Sequence, residues 1–154
     1  IIKRDTIIVI LGDGPDRNLV ENFISSNSLT NIVCVGWVDE KVILNWYSEF
    51  DAFILPSFRD PYPLSAIEAL WCGLPLLLSQ RCGNFVDVVS ENVNGFSFDP
   101  CNSFDVVSKF TLIQDLTDEE IELMGKKSRE LAFARFSSDK IVRQFVEQTV
   151  SFLE

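Results

Sequence analysis

The sequence predicts an α/β fold: a Rossmann-like, doubly wound parallel sheet flanked by helices, with a helical carboxyl-terminal tail. Three observations predict it. "TIIVIL" (6–11), "NIVCVG" (31–36), "AFILPS" (52–57) and "LPLLLS" (74–79) are short, continuously apolar runs, the pattern of strands buried on both faces rather than one. Segments of helical character separate the first three runs, as parallel strands require of their crossovers. After Pro100 the pattern changes to helix alone.

Each element follows from local chemistry. The first run ends in "LGDGP" (11–15), whose glycines allow a tight turn, and "PDRNLVENFISSNS" (15–28) continues as a helix. The second run leads into a helix over "DEKVILNWYSEF" (39–50). The third run passes through "SFRDPYP" into a helix, and Pro63 suits the first helical position, where its fixed φ fits and its missing N–H is not needed. The fourth run is followed by "NGFSFDP" (94–100), one more strand entered through a turn at Asn94-Gly95. Residues 102–114 read as a helix. "TDEEIELMGKKSRELAFARF" (117–136) opens on a capping box, Thr117 with Glu120 three later, acids first and bases last. "SSDKIVRQFVEQTVSFLE" (137–154) sets Ile141, Phe145, Val146, Gln148, Thr149 and Phe152 around one helical face.

A single domain over residues 1–154, with 47% hydrophobic residues, is long enough to bury a core. The net charge of −10 leaves no basic stripe for nucleic acid and makes an anionic membrane surface unattractive. No apolar run is long enough to span a bilayer, and no signal peptide opens the chain. The first residue is Ile1 and a strand follows almost at once, so the chain is expected to be a piece of something longer. The absence of His excludes Ser–His and Cys–His nucleophile pairs and disfavours a zinc site. Cys34, Cys72, Cys82 and Cys101 form no C-x-x-C pair, which fits small core residues or loop thiols in a reducing cytosol.

Two stretches carry candidate chemistry. In "LGDGP", Gly12 and Gly14 make half of a dinucleotide fingerprint, but the third small residue is replaced by Arg17. The turn is either a plain strand-to-helix connection or one wall of a ligand cleft at the carboxyl end of a parallel strand. The second stretch is "SFRDPYPLSAIEALWCGLPLLLS" (57–79). Past Pro63, the amides of Leu64, Ser65 and Ala66 have no partner within the helix, a local anion site that needs no basic side chain. Leu64, Ala66, Ile67, Ala69, Leu70 and Trp71 are apolar, so nearly the whole circumference is expected to be covered, while Ser65 and Glu68 share one polar stripe. Glu68 lies five residues past Pro63, roughly 7 Å along the axis. A phosphate at the helix start then leaves an attached ribose within its reach, and a carboxylate accepts from two neighbouring hydroxyls. The other reading of this stripe is a solvent-facing seam on a core helix. Asp60, eight positions before Glu68, is a turn residue or an acid at the cleft mouth; Arg59 is a surface charge, and Ser57 a strand-end cap or a cleft contact.

"ILGDGP", then "NIVCVGWVDEKVILNWYSEFDAFILPSFRDPYPLSAIEALWCGLPLLLSQRCGN" and "NGFSFDP" together resemble the carboxyl-terminal, donor-binding domain of retaining glycosyltransferases of the glycogen-synthase-like, B-type fold, the group 1 family. The likeness covers residues 6 to 100 in motif order. The family signature is a pair of glutamates separated by seven residues. Glu68 matches the second, which the resemblance implies holds the ribose of a sugar nucleotide. Asp60 falls on the first, near the reacting sugar, and is one methylene shorter. Pro63, Leu64 and Ser65 match the segment whose amides meet the diphosphate. Gly36, Trp37 and Val38 fall on the loop that lines the base pocket, and Gly14 on the turn of the cleft wall. Asp87 stands where many relatives carry another Glu. The family's basic Arg/Lys pair is expected upstream with an acceptor-binding amino-terminal domain, since Lys3 and Arg4 do not fit its context.

The resemblance thus implies a hexosyltransferase using a nucleoside-diphosphate sugar, UDP- or GDP-hexose, as donor substrate, with no cofactor and no divalent metal. The acceptor is expected to be a glycan or a lipid-linked glycan engaged by the missing domain, as in polysaccharide biosynthesis. The location implied is cytoplasmic, with any peripheral attachment at the inner membrane face left to that domain, and the isolated chain is expected to be inactive. Three other readings stay open: a nonhydrolysing sugar-nucleotide epimerase, a non-catalytic nucleotide-binding or protein-docking module, and a redox α/β domain using the Gly12–Gly14 turn. Arg17 and the lack of an acid after the second strand weaken the last.

Overall fold

The computed structural model describes residues 6–139 and residue 142. They fall into two compact units, one running up to Trp46 and the other starting at Tyr47. The predicted last helix lies, apart from its first residues and Val142, outside the described residues, as do Lys3 and Arg4.

In the first unit, β1 (Ile8–Leu11) and β2 (Ile32–Gly36) pair in parallel, joined by α1 (Arg17–Ser26). The register runs from Ile8 opposite Ile32 to Leu11 opposite Gly36, with a shift between Ile10 and Leu11. The chain leaves through α2 (Glu40–Tyr47), which carries it across the boundary between the units. The strands are where the apolar runs placed them, but they are not fully buried: Ile10 and Val33 remain exposed. A two-stranded ribbon with this little helix around it covers neither face completely.

The second unit holds β3 (Phe53–Leu55), α3 (Leu64–Cys72), β4 (Leu76–Ser79), α4 (Phe85–Val88), β5 (Gly95–Phe98), α5 (Ser103–Gln114) and α6 (Asp118–Arg135). Its sheet is parallel, in the order β3-β4-β5. Here the continuous apolar runs do mean two covered faces, because every residue of β4 and β5 is buried. Leu77, Phe96 and Phe98 form one cluster of the core, against Ile54 of β3, Val106, Phe110 and Ile113 of α5, and Met124 of α6. Alternation along the strand turns Leu76 and Leu78 the other way, and α3 also packs on β4.

The helix ends are set by identifiable groups. Gly73 takes the left-handed conformation (φ 79°) at the end of α3, and the Leu74 amide reaches back to the Ala69 carbonyl. Asn102 caps α5 through its side chain. Thr117 and Glu120 make both bonds of the capping box on α6, as the sequence predicted. The buried polar side chains of this layer are mostly satisfied. Ser128 of α6 donates to the Leu74 carbonyl (2.7 Å), and Asn94 donates to the Val88 carbonyl (2.9 Å) while accepting from Ser90 N–H (2.7 Å). Sequence reasoning missed α4, a single turn without a periodic pattern of its own.

Candidate functional site

The candidate residues fall in both units. In the first, the Gly12–Gly14 turn leaves the carboxyl end of β1 beside the end of β2, and Gly12 N–H donates to the Gly36 carbonyl (2.8 Å). The fold therefore brings Gly14 and Gly36 to one corner. Gly14 N–H donates to the Asp13 carboxylate (2.8 Å). Arg17, the residue that breaks the dinucleotide fingerprint, pairs with Asp13 (3.2 Å) and Glu21 (2.8 Å). Gly36 has φ 88°, which favours glycine, and the flexible end of Arg17 lies over it, Nη1 2.6 Å from where a Cβ would stand. Trp37 follows with 72% of its surface exposed, and Val38 is half-buried.

In the second unit, Asp60, Pro63, Leu64, Ser65 and Glu68 lie on the β3–α3 loop and the first half of α3. The helix begins one residue later than predicted: Pro63 is the cap, not the first helical residue, with φ −64° and an extended ψ of 113°. A proline there has no side-chain oxygen, so no side chain caps the helix. The amides of Leu64, Ser65 and Ala66 are the ones with no partner inside the helix. They point outward at the positive end of its dipole.

The expectation that α3 is covered almost all round is corrected by the structure. Ala66, Ala69 and Leu70 are fully buried, but Leu64 (65%) and Trp71 (37%) are exposed, and so is Glu68. Positions 64, 68 and 71 follow helical spacing and form one outward stripe. Trp71 meets Phe133 of α6 edge-on, ring centroids 4.6 Å apart. Glu68 therefore needs no ligand to be tolerated; water already solvates it. From Leu64 it stands four residues along, roughly 6 Å of helix rise, and its Cα–Cβ bond leans back toward the free amides.

Glu68 has a neighbour that the sequence did not reveal. Tyr47 is buried, its phenol is pushed up to about 12, first by burial and then by the negative charges of Glu68 and Cys72, and its ring sits edge-on to Phe53 at 5.7 Å. The Cys72 thiol is raised too, by burial, with Arg129 opposing and Glu68 adding. No sequence signal joins residue 47 to residue 68; only the fold does.

Asp60 is half-buried. Its carboxylate accepts from Tyr62 N–H (3.2 Å), a local turn, and its backbone pairs with the loop after β4: Gly83 N–H donates to the Asp60 carbonyl (2.8 Å). Beneath it the buried Cys82 thiol is raised by burial and by the Asp60 charge, while a hydrogen bond with Ser57 lowers it. Ser57 and Asp60 thus share one corner around Cys82. Asp87, on α4, lies 3.8 Å from Arg135 of α6, an exposed ion pair. Among the described residues no group of three metal-binding side chains occurs, and no helix is long and apolar enough to cross a membrane. A groove of about 300 Å³ between Phe50, Gly73, Gly125 and Arg129 lies at the far end of α3, away from this corner.

The start of α3 thus presents three amides without partners inside the helix, with Asp60 before them and Glu68 after them in the chain. Comparison with known proteins gives it a setting. The chain is 27% identical over 147 residues to N-acetyl-alpha-D-glucosaminyl L-malate synthase of Bacillus anthracis, covering 94% of this chain and 37% of that protein. It is 28% identical over 153 residues to the UDP-Gal:alpha-D-GlcNAc-diphosphoundecaprenol alpha-1,3-galactosyltransferase of Escherichia coli, covering 96% of this chain and 38% of that one. The crystal structure of Alr3699/HepE from Anabaena in complex with UDP superposes with a TM-score of 0.78 at 21% identity, over 97% of this chain and 42% of HepE, a likeness of fold. The chain thus spans less than two fifths of the length of these two curated relatives. The family model for glycosyl transferases group 1 matches residues 2–131, and the chain belongs to that family.

Proposed function

We propose that this chain is the donor-binding half of a retaining glycosyltransferase that takes a nucleoside-diphosphate hexose and works with an amino-terminal acceptor domain. The observation that carries the reading is the start of α3 in a chain of this family. Three free amides open the helix behind a cap proline that has no side-chain oxygen, an exposed carboxylate stands about one turn along, and Asp60 lies just before. The Escherichia coli relative is named for a UDP-galactose donor, and HepE was crystallised with UDP.

In this reading the diphosphate caps α3. The bond from the sugar's anomeric carbon to the diphosphate breaks with its electron pair leaving on phosphate oxygen, and a new bond forms to an acceptor hydroxyl, which gives up its proton. The amides of Leu64, Ser65 and Ala66 are already oriented toward the place where negative charge grows, so they stabilise the leaving group without reorganising. Glu68 accepts from the ribose hydroxyls. Asp60 orients the hexose and supports its developing positive charge. Gly14 and Gly36 give the backbone close approach to the nucleotide, and Trp37 and Val38 line the base. The acceptor is a glycan or lipid-linked glycan held by the other domain.

The test is a titration of the chain with uridine, guanosine and adenosine diphosphates and their hexose conjugates, followed by calorimetry and by fluorescence of the exposed Trp37. Saturable binding of one base with its hexose conjugate is expected. Absence of binding by every ligand at ~1 mM, where even a weak site of about −4 kcal/mol is half filled, refutes the reading.

A further inference from the structure

Asn84 is fully buried, yet only half of its carboxamide is used. Nδ2 donates to the Pro63 carbonyl (3.1 Å), whereas Oδ1 is the one buried side-chain oxygen or nitrogen, among the described residues, without a hydrogen-bond partner. Asn84 precedes α4 but its side chain caps no amide of that helix. An amide buried with one end unpaired costs stability, and a leucine of similar size would carry no such penalty. What the asparagine supplies in return is its single bond to Pro63.

That bond acts on a sensitive place. Proline fixes φ at residue 63, so the free torsion there is ψ, which turns the Pro63–Leu64 peptide. The peptide is planar and trans, so its C=O and the Leu64 N–H point in opposite directions. Holding the carbonyl oxygen therefore aims the Leu64 N–H. The rest of the same loop holds the rest of the same segment. Gly83 N–H donates to the Asp60 carbonyl (2.8 Å), Cys82 bridges Asp60, and a Cβ on Gly83 would lie 2.0 Å from the Pro61 carbonyl oxygen. Residues 82–84 thus grip residues 60, 61 and 63.

We propose that Asn84 is a positioning residue of the diphosphate site: through the Pro63 carbonyl it sets the direction of the Leu64 N–H at the start of α3. The proposal rests on the donor-site reading above. It is tested by titrating the chain and its Asn84→Leu and Asn84→Ala variants with inorganic pyrophosphate and with uridine, guanosine and adenosine diphosphates, while following the Leu64, Ser65 and Ala66 amides by NMR. The Asn84→Leu variant is expected to melt no lower than the parent chain yet to bind pyrophosphate roughly fivefold more weakly, the scale of one hydrogen bond, with a smaller ligand-induced shift at Leu64. The Asn84→Ala variant shows the same loss of affinity when folded. Folded variants with unchanged affinity and an unchanged Leu64 shift overturn the proposal alone. So does failure of both variants to fold, which makes Asn84 a structural residue. A parent chain that binds none of the probes overturns the donor-site reading, and this proposal with it.

Discussion

Replacing Glu68 by alanine isolates one contact unusually well. The side chain is exposed on α3 and takes part in no hydrogen bond or ion pair among the described residues, so its removal breaks no native bond. Alanine is also the better helix former, and the change in folding stability is expected to stay within about 0.5 kcal/mol. Any larger effect on binding then belongs to the ligand. Hydrogen bonds to a charged group contribute about 1.5–3 kcal/mol. Because Glu68 is exposed before binding, its water must be displaced first, which favours the lower figure: about 1.5 kcal/mol, or a little over tenfold in affinity. Calorimetry with the preferred nucleoside diphosphate measures this, and the same ligand lacking the ribose 2′-hydroxyl completes a cycle between protein and ligand. Glu68→Ala should weaken the ribose ligand tenfold and the deoxyribose ligand much less. Equal losses with both ligands, or none with either, would refute the assignment of Glu68 to the ribose.

Three other perturbations probe the framework. Glu68→Gln should lower the Tyr47 pKa from about 12, since a negative neighbour is removed. Phenolate absorbance in a Tyr62→Phe background reads it, and an unmoved Tyr47 contradicts the placement. The sign for stability follows from the same shift. The raised phenol contributes in full below the ordinary tyrosine range near ~10, and the contribution is lost as pH climbs through about 12. Thr117→Ala removes the side-chain half of the capping box on α6 and should cost about 1 kcal/mol in denaturant unfolding. Ser128→Ala strips the Leu74 carbonyl and the Asn94 amide of a buried partner and should cost about 1–3 kcal/mol; a loss within error would mean that water replaces the hydroxyl.

How much of this was legible in the sequence depends on the range over which each signal acts. Strand runs and the capping box at Thr117 are written in neighbouring residues, and each recurs in the structure, whereas the outward stripe of α3 is Leu64, Glu68 and Trp71. The start of α3 differs from the expected one by a single residue because a proline suits either side of that boundary; its extended ψ decides for the cap. The sequence leaves Glu68 either on a ligand-facing stripe or on a solvent-facing seam, and it is the packing around α3 that leaves it exposed. Leu64 and Trp71 are apolar and so predict cover, yet large hydrophobic side chains commonly remain on the surface. Tyr47 beside Glu68 and Asn84 beneath Pro63 carry no local mark at all. Each acts across 21 residues of chain, and only the parallel sheet brings the partners together.

That sheet explains how a loop can hold the proposed site steady. β4 is buried throughout and lies between β3 and β5, so its end at Ser79 is held on both sides. The Ser79 hydroxyl accepts from Arg81 N–H (3.0 Å) and turns the chain into the stretch that grips Asp60, Pro61 and Pro63. The β3–α3 loop, by contrast, leaves a strand of only three residues whose side chains are all part-exposed. Its geometry is therefore transmitted from the leucines of β4 through residues 81–84. Loosening that core should blur the direction of the α3 amides even where every residue of the proposed site is intact, because preorganised donors lose their advantage once they must reorient.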